Sequence, residues 1–199
     1  GTPNVYNILA ALASSIAMDI DMDTIHQGIR NLRSVPGRFE RVDCGQPFAV
    51  IVDYAHTDDA LKNAITTARG LTKGRVITVF GCGGDRDRTK RPLMGEVAGR
   101  LSDFTILTSD NPRSEDPLLI IADAVVGLQR ATDRYAVEPD RGNAIRRALE
   151  EARDGDIVLL AGKGHETYQV LADRTFHFDD REVAREILSG LGYSSTVCT

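Results

Sequence analysis

Cysteine is scarce in this chain: three residues in 199, Cys44, Cys82 and Cys198, lying far apart and odd in number. Neither a disulfide framework nor a zinc-ligand pattern fits such spacing, so a reducing cytoplasm is the expected compartment. Long apolar runs are also missing. No stretch approaches the roughly 18 residues that span a bilayer, and Gly1-Thr2-Pro3-Asn4 does not open a secretory signal. Basic charge is not in excess, with 24 Lys+Arg against 29 Asp+Glu and a net charge of −5. That argues against a nucleic-acid partner, which needs concentrated Lys and Arg to neutralise phosphates. What remains is ordinary globular composition, 42% hydrophobic and 27% charged, with no repeat or low-complexity tract.

The apolar pattern has two parts. Val5, Ile8, Leu9, Leu12 and Ile16 fall at helical spacing behind a candidate N-cap, Asn4, and a second helix is expected from Thr24 to Leu32. Val35-Pro36-Gly37 breaks the pattern, which places a boundary at residue 36 and makes 1–36 the end of a domain whose larger part lies elsewhere. From residue 37 strands and helices alternate. The strands are Phe48–Asp53, Arg75–Phe80, Phe104–Thr108, Tyr135–Glu138 and Ile157–Ala161. Helices are expected over Asp59–Leu71, Arg91–Leu101, Pro117–Arg130, Gly142–Arg153 and Asp180–Leu191, with a hairpin joining Tyr168–Leu171 to Thr175–Phe178. This alternation predicts an α/β, Rossmann-like, mostly parallel sheet flanked by helices.

In such sheets ligands sit beyond the carboxyl ends of the strands. Four polar segments occupy those ends: Asp53-Tyr54-Ala55-His56, Gly81 to Asp87, Ser109 to Arg113, and Gly162 to Glu166. The glycine turn after Phe80 could cradle phosphate, but a dinucleotide fingerprint fails where Arg86 stands in place of its third glycine. Read without a ligand, it is a turn carrying solvated charges. Gly162-Lys163-Gly164-His165 fails the G-x-x-x-x-G-K-[ST] pattern twice, so no P-loop is present. Arg86, Arg113, Asn111 and Glu166 together suit a zwitterionic amino acid, since Arg pairs carboxylates bidentately and Glu receives an ammonium. Each alone could equally be a surface charge. Asp53 suits a ribose hydroxyl and His56 a phosphate or base. Asp179-Asp180-Arg181-Glu182 is most simply the cap and first turn of the last helix.

At these residues the chain resembles the Mur ligase family. V-P-G-R-F-E (35–40), V-D-Y-A-H-T (52–57), V-F-G-C-G-G-D-R-D (79–87), K-R-P-L-M-G (90–95), T-S-D-N-P-R-S-E-D-P (108–117), A-G-K-G-H-E-T-Y-Q (161–169) and F-D-D-R-E (178–182) occur in order. Pro3, where relatives carry an aromatic residue, and Asp58, in place of a proline, are departures. The resemblance implies a three-domain ATP-dependent ligase of peptidoglycan precursor synthesis, of which this chain is the carboxyl-terminal domain preceded by the last helices of the central ATPase. Its strongest likeness is to members that join meso-diaminopimelate to UDP-MurNAc-L-Ala-D-Glu through an acyl phosphate, using ATP and Mg2+.

The resemblance assigns diaminopimelate contacts to Arg86, Asp110, Asn111, Pro112, Arg113, Gly162 and Glu166. It assigns ATP contacts to Asn7, Arg38, Asp53, Tyr54 and His56. It puts the P-loop and metal ligands in the central domain, so the isolated chain is expected to bind no Mg2+ and not to turn over. The other readings are a lysine-adding, folylpolyglutamate- or cyanophycin-type ligase domain, and a non-catalytic amino-acid or nucleotide-binding module.

Overall fold

The computed structural model describes residues 2–32 and 34–193, and divides them into two units, one up to Val35 and one from Pro36. Cys198 lies outside the described residues. The first unit holds α1 (Thr2–Ala17) and α2 (Met22–Asn31). Asn4, expected to cap α1, lies inside it: the helix starts two residues earlier, with Pro3 in its first turn, where a missing N–H costs nothing. The α2 cap is Asp21, whose side chain accepts from the Thr24 backbone N–H at 2.9 Å.

The second unit runs β1 (Glu40–Val42), β2 (Ala49–Asp53), α3 (Asp58–Leu71), β3 (Val76–Cys82), α4 (Lys90–Leu101), β4 (Phe104–Ser109) and α5 (Pro117–Ala131). It continues through β5 (Tyr135–Val137), α6 (Arg141–Glu151), β6 (Ile157–Ala161), β7 (Tyr168–Val170), β8 (Thr175–His177) and α7 (Asp180–Gly190). Among the described residues the main sheet has the order β1-β2-β6-β3-β4-β5, parallel except for β1, and β7-β8 form a separate antiparallel hairpin. The predicted α/β architecture is therefore present. The short edge strand β1 escaped the sequence reading because three residues, one of them exposed, carry no readable alternation. Gly81 and Cys82, read as the start of a polar loop, are the last two residues of β3, paired with Thr108 and Ser109.

Two cores cover the two faces of the sheet. Ile157, Leu159 and Ala161 of β6 pack with α3, α4 and α5, while Val158 and Leu160 pack with α6 and α7. A strand buried on both faces reads as the continuous apolar run that made β6 legible. Each such fully buried Leu or Val contributes about 1.5–3 kcal/mol.

One buried pair joins the second core to the carboxyl edge. Arg141, first residue of α6, and Asp180, first of α7, have side chains fully removed from solvent. They meet through two hydrogen bonds, Nε to Oδ1 at 2.8 Å and Nη2 to Oδ2 at 2.6 Å, and Nη2 also donates to the Ala161 carbonyl at 3.1 Å. Asp179 does cap α7, as its sequence suggests, but Asp180 is an internal ion-pair partner rather than a solvated first-turn acid. Removing one member of such a pair strands the other charge. Arg141→Met is expected to lower unfolding free energy by about 3–5 kcal/mol, and Arg141→Met with Asp180→Leu to recover most of that, as measured by urea denaturation.

Candidate functional site

The strand order makes neighbours of segments far apart in sequence. Because β6 lies between β2 and β3, the loop after Ala161 emerges between Asp53-Tyr54-Ala55-His56 and the glycine turn, with the Asp110–Arg113 segment next along. Gly162, at φ +116°, donates its N–H to the Asp53 carbonyl at 3.0 Å, which ties the ends of β6 and β2 together.

The turn Pro36-Gly37 closes over this loop. A Cβ on Gly37 would collide with the His165 backbone nitrogen, and one on Gly164 would stand 2.6 Å from Tyr54 Cβ. Both residues have positive φ, +68° and +53°, so glycine is required here by conformation and by space.

At this end four side chains form an aromatic and cationic group. The Arg38 guanidinium lies 5.3 Å from the centre of the Tyr54 ring, with the His56 ring at 4.5 Å and the His165 ring at 5.2 Å from it. His56 Nδ1 donates to the Tyr54 carbonyl at 2.9 Å. Asp53 Oδ2 accepts from the Phe39 N–H at 2.8 Å, and burial pushes its carboxyl above the usual carboxylate range. An aromatic face, a guanidinium and a strand-end carboxylate fit a nucleoside. Arg38, Asp53, Tyr54 and His56 are thus together. Asn7, an exposed residue of α1, belongs to the first unit. Among the described residues no group of three His, Cys, Asp or Glu side chains could hold a metal ion.

The other end is built around a buried lysine. Lys163 Nζ, with its side chain fully buried, donates to the Tyr168 carbonyl at 2.7 Å and to Asn111 Oδ1 at 3.1 Å. It also lies 3.2 Å from Asp110 Oδ1 and 3.8 Å from Glu166 Oε2. Burial lowers the pKa of its ammonium group. Asn111 Oδ1 takes a second hydrogen bond from the Val170 N–H at 3.0 Å, and its Nδ2 donates to Glu166 Oε2 at 2.8 Å. Asn111 is thus a buried brace (3% exposed) within this network.

Arg113 stands at φ +53°, an uncommon backbone conformation for a side chain of this size. Its Nη1 donates to the carbonyls of Gly84 (2.8 Å) and Asn111 (3.3 Å). Among the described residues its Nε and Nη2 have no hydrogen-bond partner. Arg86 is exposed, and Gly83 lies between the two arginines: a Cβ there would be 3.1 Å from Arg113 Nη1 and 3.6 Å from Arg86 Cγ. Pro112 is buried against the glycine turn, where a Cβ on Gly84 would strike its carbonyl oxygen.

The glycine turn is not an open phosphate cradle. Gly84 N–H donates to the Asn111 carbonyl at 2.9 Å and Asp85 N–H to Glu115 Oε1 at 2.6 Å. Nor are its charges all solvated. Arg91 is 2% exposed and pairs with Glu115 at 2.7 Å and Asp123 at 2.9 Å while donating to the Gly83 carbonyl.

The family described as "Mur ligase, glutamate ligase domain" matches residues 37–164, well over half of the chain. The chain belongs to this family. The UDP-N-acetylmuramoyl-L-alanyl-D-glutamate–2,6-diaminopimelate ligase of Solibacter usitatus (strain Ellin6076) is 65% identical over 98% of this chain and 40% of its own length. The protein of the same name from Syntrophomonas wolfei subsp. wolfei is 56% identical over 96% of this chain and 39% of its own. A solved structure of a ligase of that name superposes with a TM-score of 0.76 at 39% identity, covering 96% of this chain and 39% of that one. The chain thus spans about two fifths of the length of the relatives it matches. No helix among the described residues is long and apolar enough to cross a membrane.

Within this Mur ligase domain the sequence reading passed over Lys163, His165 and Arg91. Lys163 falls within the failed P-loop pattern, and its partners Asp110 and Asn111 lie more than fifty residues away, beyond any local spacing rule. His165 had a local signal, its place between Gly164 and Glu166 at a strand end. In the sequence Arg91 is one more charge in the run Asp85-Arg86-Asp87-Arg88-Thr89-Lys90-Arg91.

The Glu115 carboxyl is held down to about 2, chiefly by its hydrogen bond from Arg91 and by the Asp85 N–H. A lowered carboxyl stabilises the fold above its unfolded value of 4.5 and loses that contribution as pH falls toward 2. Urea midpoints followed against pH are therefore expected to fall across this window, and Glu115→Gln to flatten that fall while lowering stability at pH 7.

Proposed function

We propose that this chain is the amino-acid-recognising carboxyl-terminal part of a cytoplasmic, ATP-dependent ligase that joins meso-diaminopimelate to UDP-MurNAc-L-Ala-D-Glu. Residues 1–36 are the end of its central ATPase domain. The observation that carries this reading is the pairing of two arginines, Arg86 and Arg113, across Gly83, on the same sheet edge as the Asn111–Glu166 pair. Diaminopimelate has two carboxylates and two ammonium groups. Free guanidinium donors on Arg113 and an exposed Arg86 supply carboxylate partners, and Glu166 supplies an ammonium partner. Lysine lacks the distal carboxylate and leaves Arg113 without a ligand.

The reaction divides between the two ends of the edge. Arg38, Asp53, Tyr54 and His56 hold the nucleoside of ATP, whose γ-phosphoryl group passes to the γ-carboxylate of the peptide and releases ADP. Mg2+ would screen the phosphate charges from ligands in the central domain. The amine of diaminopimelate then attacks the acyl carbon, phosphate leaves, and the nitrogen gives up a proton. This chain's share is alignment of the amine, which converts a bimolecular attack into an oriented one.

In the full-length protein, diaminopimelate-dependent ADP release is expected, with L-lysine a poor substitute. Arg113→Ala should raise the KM for diaminopimelate about 10–100-fold, the loss expected for a hydrogen-bonded charge partner. Equal use of the two amino acids by the unaltered protein would overturn the assignment.

A further inference from the structure

Burial disfavours the charge on Lys163 while Asp110 beside it favours it, and an apolar side chain of the same length would carry no desolvation cost of its own. Its contacts give a reason for the charge. The Asn111 amide can face either way in its slot, but one side of the slot is lined by two donors, the Lys163 ammonium and the Val170 N–H. Only oxygen is acceptable there. With Oδ1 so fixed, Nδ2 must face Glu166 and donate to Oε2, which leaves Oε1 for a ligand. The same ammonium reaches across to Tyr168 and Asp110, so the loop after β6, the segment after β4 and the start of β7 meet at one atom.

We infer that Lys163 is the positioning residue of the amino-acid site: it orients the Asn111 amide and thereby the Glu166 carboxylate that receives the incoming ammonium, without touching substrate itself. The inference rests on the amino-acid site proposed above. The nucleoside end of the same loop is held differently, by the close packing of Gly164 on Tyr54 and of Gly37 on His165, neither of which runs through Lys163. The two ends should therefore respond separately.

The test is Lys163→Met in the full-length protein, assayed with both substrates varied. The expected result is a KM for diaminopimelate raised about tenfold or more, as for loss of a charged hydrogen-bond partner, with the KM for ATP unchanged. An unchanged diaminopimelate KM, or equal rises in both, overturns the inference, since general loosening moves both. If the stranded Asp110 carboxylate prevents folding, Lys163→Met with Asp110→Asn is compared with Asp110→Asn alone, and the loss of Lys163 must still raise the KM.

Hydrogen exchange reads the same brace without substrate. The Val170 N–H, which donates to Asn111 Oδ1, should exchange about tenfold faster in Lys163→Met, as its acceptor is freed to rotate. Unchanged exchange overturns the inference even if the unaltered protein proves to use another amino acid, whereas failure of the unaltered protein to use diaminopimelate counts against the proposed function alone.

Discussion

The arrangement of the carboxyl edge depends on one piece of backbone pairing, the return of β6 between β2 and β3. Its Val158 and Leu159 are in register with Val50 and Ile51 on one side and with Ile77 and Thr78 on the other, so its backbone groups are satisfied from both directions. A strand in that position must be apolar on both faces, because α3, α4 and α5 cover one and α6 and α7 the other. It must also end in residues able to turn sharply between two occupied loops. Gly162 and Gly164, both at positive φ, meet that demand. Placing the strand thus determines which polar segments become neighbours.

Charge inside this edge follows from the same placement. Strand ends leave carbonyl groups and loop carboxylates without strand partners, and the chain answers with buried cations. Arg141 takes the Ala161 carbonyl and Asp180; Lys163 takes the Tyr168 carbonyl, Asn111 and Asp110; Arg91 takes the Gly83 carbonyl, Glu115 and Asp123. Each cation reaches loops or helix ends that belong to different crossovers. Groups braced in this way need little rearrangement when a ligand arrives, the condition under which electrostatic recognition is most effective. In the proposed reading, the remaining donors of Arg113 and the exposed Arg86 are the groups left to the ligand.

Several elements were legible without coordinates because their signal is local. The run Ile157–Ala161 is legible residue for residue, and the hairpin β7–β8 from the two short runs Tyr168–Leu171 and Thr175–Phe178. Other boundaries slipped where local preference and tertiary context disagree. Gly81 and Cys82 look like a turn, yet neighbouring β4 extends far enough to pair with them. Arg91 sits in a string of charges that reads as solvated, and only the approach of Glu115 and Asp123 makes its burial tolerable. The family motifs named Arg86, Asp110 to Arg113, Gly162 and Glu166, but not Lys163, which meets Asp110, Asn111 and Glu166 among them.

By itself the sequence determined the alternation of strands and helices, the break at Val35-Pro36-Gly37, and the set of polar segments that end the strands. Hydrophobic period and turn chemistry act over a few residues, so they survive in the linear order. Tertiary structure decided the strand order, and with it that the loop after β6 lies between the Asp53 and Gly83 loops. It also decided that Lys163, Arg91 and Arg141 are interior charges. Those outcomes depend on partners thirty or more residues distant for each cation. No periodicity encodes such distances, because a buried ion pair is stabilised only when both charges leave water together.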